Sequence, residues 1–279
     1  MPWPERVRTK PLSDRITVTG SSVTVSTMET VSDEPVTVIL SRNGFVRTRS
    51  GHGIDRAALT WKEGDAELAI IETRTVHPIV LFGANGRVFN ARAADIPGGK
   101  GDGVPVSSLA ETAGTAIVGM ISSTPDTPVL LGTSGGNALR TKIEALVTRI
   151  RAGKQFVSVA EGESQVTPSI IAASATEVAA LSGEGRLLVF PLEEVNELPN
   201  GGRGVMGIKL HEGESMLGVR PVMGEIRIAA FGRSDKRTTL VIKESDLAHY
   251  RGSRARTGRK LEPYFKRVEG FEPAAPPAL

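Results

Sequence analysis

Cysteine is absent from this chain of 279 residues, which excludes a disulfide framework and a thiolate metal site. No apolar run approaches the roughly 18 residues that a membrane-spanning helix needs, and the N-terminus has no signal-peptide core. These absences predict a soluble cytoplasmic protein. Hydrophobic residues make up 39% of the sequence, which is enough for a folded core.

Positive charge is unevenly distributed along the chain. The formal net charge is only +3, although the sequence pI is about 9.3. Between Arg227 and Glu269, however, twelve basic residues stand against five acidic ones. Such a local excess indicates a polyanionic partner, while a solvated charged surface is the alternative that charge alone leaves open.

Short turns between apolar runs recur with a period of about fifty residues. They lie at residues 41–44, 83–86, 133–136 and 182–185, with a glycine-free counterpart at residues 233–236. Two of them contain Asn-Gly, a pair that favours a type I′ β-hairpin because both central residues need a positive φ. Each turn therefore predicts a β-hairpin.

Two further features follow each hairpin in a constant order. The first is a glycine-rich, mostly basic loop, found at residues 51–53, 98–101, 151–154, 201–204 and 257–260. The second is a small, usually acidic turn, found at residues 63–65, 113–115, 161–163, 212–214 and 269–271. The short strand-like runs between these features predict an all-β array of about five four-stranded propeller blades. Helical turns are expected only near residues 143–147, 193–196 and 245–248.

Basic side chains recur at the same places within the units. The strand after each hairpin and the glycine-rich loop carry them, which would place Lys and Arg along one edge of a ring. A phosphate can approach the backbone N–H groups of these loops, because glycine has no side chain. The residues predicted to bind the DNA backbone are Arg42, Arg47, Arg49, Arg87, Arg92, Lys100, Arg140, Lys142, Arg151, Lys154, Arg186, Arg203, Arg237, Lys243, Arg254 and Arg256.

Aromatic residues make up only 4% of the chain, and no ladder of them interleaves with these basic positions. Base stacking is therefore disfavoured as the main contact, which argues against a reader of single strands or of RNA. The pattern predicts sequence-tolerant binding to duplex DNA.

Catalytic signatures are few. Residues 132–136 match a nucleophile elbow around Ser134, but that elbow requires a strand that enters a helix, and here the chain is expected to continue as a strand. The four histidines lie far apart without the spacing of metal ligands, and no phosphate-binding loop for ATP is found. Tyr250 and Tyr264 are interpreted as packing or rim residues. We expect no cofactor and no metal.

The first unit resembles the opening blade of the C-terminal domain of the A subunit of bacterial topoisomerase IV. The resemblance rests on residues 34–47, on residues 51–55 and on residues 59–65. Further similar stretches lie at residues 85–89, 149–154 and 185–192, so that the resemblance covers residues 34–268.

The resemblance implies a β-pinwheel, a propeller-like ring in which neighbouring blades exchange strands and a basic outer rim bends DNA. It implies that the chain is no enzyme on its own but the DNA-steering part of an ATP-dependent type IIA topoisomerase, which decatenates and relaxes DNA in chromosome segregation. Its implied partners are duplex DNA, the breakage-reunion region of the enzyme's A subunit, and its ATPase-bearing B subunit. The implied location is the cytoplasm, in association with the nucleoid.

Three alternatives stay open at this point. The first is the wrapping domain of the gyrase A subunit, but gyrase carries a Gln-Arg-Arg-Gly-Gly-Lys-Gly box where this chain has residues 49–55, which favours topoisomerase IV. The second is a propeller-type scaffold that binds proteins, with its basic loops solvated. The third is a hydrolase that uses Ser134, which would need a histidine close by.

The expected domain organisation has three parts. Residues 1–34 lack the repeated features and form a leader that is flexible or partly β, with hairpin-like alternation at residues 15–26. Residues 35–268 form the β-pinwheel. Residues 269–279 form a proline-rich tail that is expected to be disordered.

Overall fold

The computed structural model describes residues 32–99, 101–232, 235–263 and 265–272. The expectations for residues 1–31, including the hairpin at residues 15–26, and for the tail beyond residue 272 lie outside these ranges. Short β-strands are the main regular elements, and they form five antiparallel sheets. The predicted all-β class and the five blades are therefore confirmed.

The strands follow one another in short runs along the chain. The first ten are β1 (Pro35–Ser41), β2 (Phe45–Ser50), β3 (Glu67–Arg74), β4 (Ile79–Gly83), β5 (Arg87–Ala91), β6 (Val104–Pro105), β7 (Ile117–Ser122), β8 (Pro128–Gly132), β9 (Asn137–Lys142) and β10 (Lys154–Gln155). The others are β11 (Ser169–Ile170), β12 (Glu177–Ser182), β13 (Arg186–Pro191), β14 (Val205–Met206), β15 (Met216–Pro221), β16 (Ile226–Phe231), β17 (Arg237–Ile242), β18 (Arg259–Lys260) and β19 (Arg267–Phe271).

Helices are short and lie between the strands, and the longest has seven residues. Two are α-helical, α1 (Val106–Leu109) and α2 (Ile143–Leu146), and four are 3-10 helices at Arg56–Ala58, Ala93–Asp95, Leu192–Glu194 and Glu244–Tyr250. The three helical turns expected from the sequence are thus present, and the other three were missed. Within the described ranges, no helix is long and apolar enough to cross a membrane.

Neighbouring blades exchange strands, as the pinwheel architecture requires. Blade one is ordered β3-β1-β2-β6, blade two β7-β4-β5-β10, blade three β11-β8-β9-β14, and blade four β15-β12-β13-β18. In each of them, the fourth strand comes from the unit that follows in the sequence. Blade five has three strands among the described residues, in the order β17-β16-β19.

One edge of blades one, three, four and five faces the inner side of the ring. Residues of β3, β11, β15 and β19 line one cavity of about 1060 Å³ at this inner side. The exchanged strands β6, β10, β14 and β18 lie at the opposite edge of their sheets. They therefore form the outer edge of blades one to four.

The hairpin strands of blades two to four are apolar on both faces because each of these blades packs between two others. All five residues of β4 are buried. Ile79 and Leu81 pack into a cluster with blade one, whereas Val80 and Phe82 pack into a cluster with blade three. The two-residue period of a strand thus divides one apolar run between two inter-blade cores.

The hairpin turns differ from the predicted type. In the first turn, the N–H of Gly44 donates to the carbonyl of Ser41 at 3.0 Å, and Gly44, the fourth residue, has a positive φ of 79°. Gly86 occupies the same place in the second turn, with a φ of 81°. The central residues Asn43 and Asn85 do not have the positive φ that a type I′ turn needs. These two turns place only their glycine, which has no Cβ to clash, in the left-handed region.

Ser134 lies in the turn between β8 and β9, and the chain continues as a strand, as the hairpin interpretation predicted. Its hydroxyl accepts a hydrogen bond from the backbone N–H of Ser164 at 2.9 Å. The strand-to-helix geometry of a nucleophile elbow is therefore not formed at this turn.

Both ends of the pinwheel differ from the expected boundaries. Strand β19 pairs with β16 as far as Phe271, so residues 269–271 belong to blade five and form neither a turn nor a tail. At the other end, Arg74 donates to the carboxylate of Asp33 at 2.6 Å, and the backbone of Glu34 is hydrogen-bonded to Thr75. Residues 32–34 are therefore attached to blade one.

A left-handed glycine precedes each exchanged strand. We call residues 98–105 (apart from residue 100, which is not described), 149–155, 201–206 and 256–260 the crossing segments, because they carry the chain to the outer edge of the preceding blade. A Cβ placed on Gly103 would lie 2.2 Å from the carbonyl oxygen of Val46, and one on Gly204 would lie 2.2 Å from that of Ala138. Glycine is required here by both φ and space.

We expect the substitution Gly204→Ala to destabilise the domain more than the same change at a roomy glycine. Gly213 is the control, since its φ of 74° matches the 77° of Gly204 but nothing lies within 4 Å of its added Cβ. A left-handed alanine costs about 1 kcal/mol at either position. At position 204, the clash with Ala138 should cost roughly 2 kcal/mol more. Urea unfolding measures both, and equal losses would contradict the close approach.

Candidate nucleic-acid interface

Exposed cations lie on the crossing segments at the outer edge of successive blades. Arg151 lies on the segment of blade two and Arg203 on that of blade three, and both are exposed. Arg256 and Arg259 are exposed on the segment of blade four. Lys100, the predicted residue nearest to blade one's exchanged strand in the sequence, lies outside the described residues. The topology therefore brings positive charge from distant parts of the sequence to one edge of consecutive sheets.

Few of these cations are neutralised. Arg203 and Arg256 have no carboxylate within salt-bridge distance among the described residues. Arg151 donates to the backbone carbonyl of Ser108 at 3.2 Å, and no acid pairs with it in the described ranges. A guanidinium without a carboxylate partner keeps its full charge for a phosphate, and in Arg151 the other N–H donors can still bind one.

A different group of the predicted residues holds the blades together. Arg47 is only 3% exposed, and its guanidinium donates to the carbonyls of Gly101 at 2.6 Å and of Thr60 at 2.8 Å. Arg87 donates to the carbonyls of Ala152 at 3.0 Å and of Gly153 at 2.9 Å. In both cases, a side chain on the second hairpin strand binds the backbone of a crossing segment. These guanidiniums bind backbone carbonyls and are not available to a phosphate without breaking those bonds.

Three more predicted cations bind backbone carbonyls in a similar way. Arg140 donates to Val195 at 2.7 Å, Lys154 donates to Ala145, and Arg254 donates to Met206 at 2.8 Å. Their side chains are partly buried. We refer to Arg47, Arg87, Arg140, Lys154 and Arg254 together as the clamp residues.

Carboxylates neutralise three other predicted residues. Arg92 forms two 2.8 Å hydrogen bonds with Asp95, and Arg186 lies 3.9 Å from Glu184. Arg237 binds Glu269 at 2.8 Å and Glu272 at 2.9 Å. The hydrogen bond to Glu269 is the main cause that raises the pKa of Arg237 above its ordinary value. A phosphate would have to compete with these acids.

The remaining predicted residues are placed at the surface. Arg49 is half-buried, whereas Lys142 and Lys243 are exposed. Lys142 lies near Asp126 and contributes to lowering the pKa of that carboxyl, although the hydrogen bond from Thr124 is the larger cause. Arg42 is exposed in the first hairpin turn but lines the inner cavity, so it lies away from the outer edge.

Arg149 and Lys209 are exposed cations that the sequence did not predict, and Arg259 is exposed in the glycine-rich loop at residues 257–260. Arg149 and Arg259 lie on crossing segments, and the backbone N–H of Lys209 binds the carbonyl of Arg256 at 2.9 Å. Proximity in sequence to a glycine-rich loop would have identified Arg149, whereas Arg259 belongs to a loop whose basic side chains were already predicted to contact phosphates. Lys209 follows β14 and is brought to the segment of blade four only by the fold.

One histidine lies close to two glutamates. Donor atoms of Glu184, His211 and Glu214 lie within 4.8 Å of one another, a grouping that the wide spacing of the histidines did not suggest. Glu184 is paired with Lys260 at 3.4 Å. Partial burial acts to raise the pKa of Glu214, but hydrogen bonds, chiefly from the backbone of His211, outweigh it and lower the pKa. Both carboxylates thus have structural partners in these turns.

The comparisons with known proteins agree on one family. The family model described as the DNA gyrase C-terminal domain, beta-propeller, matches residues 77–115, 127–171 and 176–223. The A subunit of DNA topoisomerase 4 from Pseudomonas aeruginosa, a curated protein, is 31% identical over 261 residues, which cover 91% of this chain. The solved C-terminal domain of Escherichia coli ParC has a TM-score of 0.71 and 25% identity, and the match covers 85% of this chain and 98% of that one. The chain belongs to the family of C-terminal domains of the gyrase and topoisomerase IV A subunits.

The three matched stretches of this family model correspond to the hairpins of blades two, three and four, each followed by further parts of its unit. The A subunit of DNA topoisomerase 4 from Neisseria gonorrhoeae is 38% identical over 199 residues, or 67% of this chain. The chain spans only 25% of that relative and 34% of the Pseudomonas aeruginosa protein. It therefore corresponds to the C-terminal domain portion of a topoisomerase A subunit, which confirms the resemblance found in the sequence.

We expect Arg87→Met to lower the free energy of unfolding of this family member by about 2 kcal/mol, because two carbonyls of a crossing segment lose a charged donor. Arg203→Met is the matched control, and a change within about 0.5 kcal/mol is expected, since Arg203 is exposed and makes no such bond. Urea unfolding at low and high salt measures both. Equal stabilities for the two variants would show that the clamp contacts are unimportant.

Proposed function

We propose that this domain binds duplex DNA by its sugar-phosphate backbone along the outer edge of blades one to four and bends it. The observation that supports the proposal most is the repetition of uncompensated cations on successive crossing segments, with Arg151, Arg203 and Arg256 as the clearest members. Lys and Arg contacts to phosphates supply most of the affinity of sequence-tolerant DNA binders. Cations that follow a curved edge favour a bent duplex over a straight one.

The most suitable cellular role is that of the substrate-steering domain of the topoisomerase IV A subunit. In that role, the DNA held on the outer edge would be directed toward the breakage-reunion region of the same polypeptide, and the ATPase-bearing B subunit would complete the enzyme. Decatenation and relaxation of DNA during chromosome segregation would follow, in the cytoplasm and at the nucleoid. The absence of the gyrase box at residues 49–55 favours this role over negative supercoiling by a gyrase wrapping domain.

A protein-binding scaffold is the second candidate function. Exposed apolar side chains such as Met206 and Val241 are the observation in its favour. They are scattered over different blades, however, and single exposed apolar residues are common on soluble proteins. The repeated cations make DNA the better supported partner.

Reversing charge on the crossing segments should weaken DNA binding. For the triple variant Arg151→Glu, Arg203→Glu and Arg256→Glu, we expect the affinity at low salt to fall by at least about tenfold. The slope of log Kd against the logarithm of the salt concentration should decrease by roughly one for each phosphate that the variant no longer binds. Fluorescence anisotropy with a random duplex over a salt series measures both quantities. The fold should be retained, because these side chains are exposed.

The control for this experiment reverses a charge on the inner side of the ring. Arg56 lines the inner cavity, and its side chain is 55% exposed. Arg56→Glu should leave the affinity within about twofold of the wild type, because the inner side of the ring lies away from the proposed track. Equal losses for Arg56→Glu and for each single reversal at positions 151, 203 and 256 would point to a general charge effect and argue against an outer track. Binding that ignores salt would argue against backbone recognition altogether.

A further inference from the structure

The proposed DNA track contains two exposed hydrophobic side chains, Ile150 and Met206, of which Ile150 is the more exposed. Ile150 is 62% exposed, more than any other exposed large hydrophobic residue of the described ranges. It lies on the crossing segment of blade two, which leads into β10 at the outer edge. Leu146, four residues earlier, is fully buried. Exposure of Ile150 is therefore a local property of this turn and not of the whole unit.

Two arginines flank this isoleucine in the sequence. Arg149 and Arg151 are both exposed, and neither forms a salt bridge among the described residues. An aliphatic side chain between two cations suits the minor groove of duplex DNA, where the cations contact phosphates and the aliphatic group enters between base pairs. Proteins that bend DNA sharply use Ile, Leu, Met, Phe or Pro in this way.

The turn that carries Ile150 is held in place by hydrogen bonds. The carbonyl of Ile150 accepts from the N–H of Gly153 at 2.9 Å, and its N–H donates to the hydroxyl of Thr148 at 3.2 Å. The N–H of Thr148 in turn donates to the side-chain oxygen of Asn90 on β5 at 2.6 Å. A side chain on such an anchored turn keeps its position when it contacts a duplex, so little conformational entropy is lost on binding.

We propose that Ile150 inserts between two base pairs from the minor groove of a bound duplex and kinks it at blade two. The inference depends on the proposed function, since it assumes that DNA follows the outer edge. Pyrimidine–purine steps unstack most easily, so the kink should form preferentially at TA steps. Arg149 and Arg151 bind the phosphates on either side of the opened step.

Base unstacking provides the direct test. A duplex of alternating thymine and adenine is prepared with 2-aminopurine in place of adenine at several TA steps, because the fluorescence of this base rises when it unstacks. The wild-type domain should increase the fluorescence on binding. Ile150→Ala should still bind at low salt, with an affinity within about fivefold of the wild type, but should lose most of the fluorescence increase. Ile150→Met should retain it, because methionine also serves as a wedge.

The matched control is a second exposed isoleucine. Ile170 is the last residue of β11, is 44% exposed and lines a cavity with residues of β15, β16 and β19, away from the crossing segments. Ile170→Ala should leave both the affinity and the fluorescence increase unchanged. The same loss of signal in Ile170→Ala would overturn the specific role of Ile150.

The possible outcomes separate the wedge from DNA binding itself. Wild-type binding without a rise in fluorescence, or a rise that Ile150→Ala preserves, overturns the wedge and leaves DNA binding on the outer edge intact. Failure of the wild-type domain to bind the duplex at low salt removes the proposed function and the wedge together. A selective loss of the signal in Ile150→Ala supports both.

Discussion

The N–H and C=O groups at the outer edge of each sheet need hydrogen-bond partners, and much of the architecture follows from how they obtain them. In blade one, two residues of the next unit, Val104 and Pro105, pair with Val46 and Phe45 of β2. An unpaired edge would otherwise be open to association with other chains. Since the chain must run across the outer edge to supply this strand, every crossing segment lies on the outside of the ring. The position of the exposed cations on the crossing segments is thus a consequence of edge pairing.

Chemically identical side chains acquire different roles in this arrangement. Arg47 lies under a crossing segment, and its guanidinium donates hydrogen bonds to two backbone carbonyls. Arg203 lies on a crossing segment and faces solvent. Arg237 has the same charge but is neutralised by Glu269 and Glu272. The number of basic residues in the sequence therefore overstates the positive charge that is available to a polyanion. Only the basic side chains that are neither buried nor paired with a carboxylate contribute to it.

The repeating architecture could be predicted from sequence because the turns and apolar runs that mark each unit depend on short stretches of the chain. Turns such as Ser41–Gly44 need a glycine at a fixed place, and apolar runs such as Ile79–Phe82 show that strands are buried on both faces. The clamp residues could not be distinguished from surface cations, because the carbonyls that bind Arg87 lie 65 and 66 residues away. The role of Gly270 was also misread, since pairing between β19 and β16 overrides the turn preference of glycine.

Strand exchange also has a consequence for synthesis on the ribosome. The first three strands of blade one end at Arg74, but its fourth strand is not made until residues 104 and 105 have been translated. Blade four likewise waits for residues 259 and 260, well after β15 ends at Pro221. Domains generally fold as they emerge from the ribosome, N-terminal part first. Here each of blades one to four is completed only when the hairpin of the following blade has appeared, so the nascent chain always has one sheet whose outer edge is still unpaired.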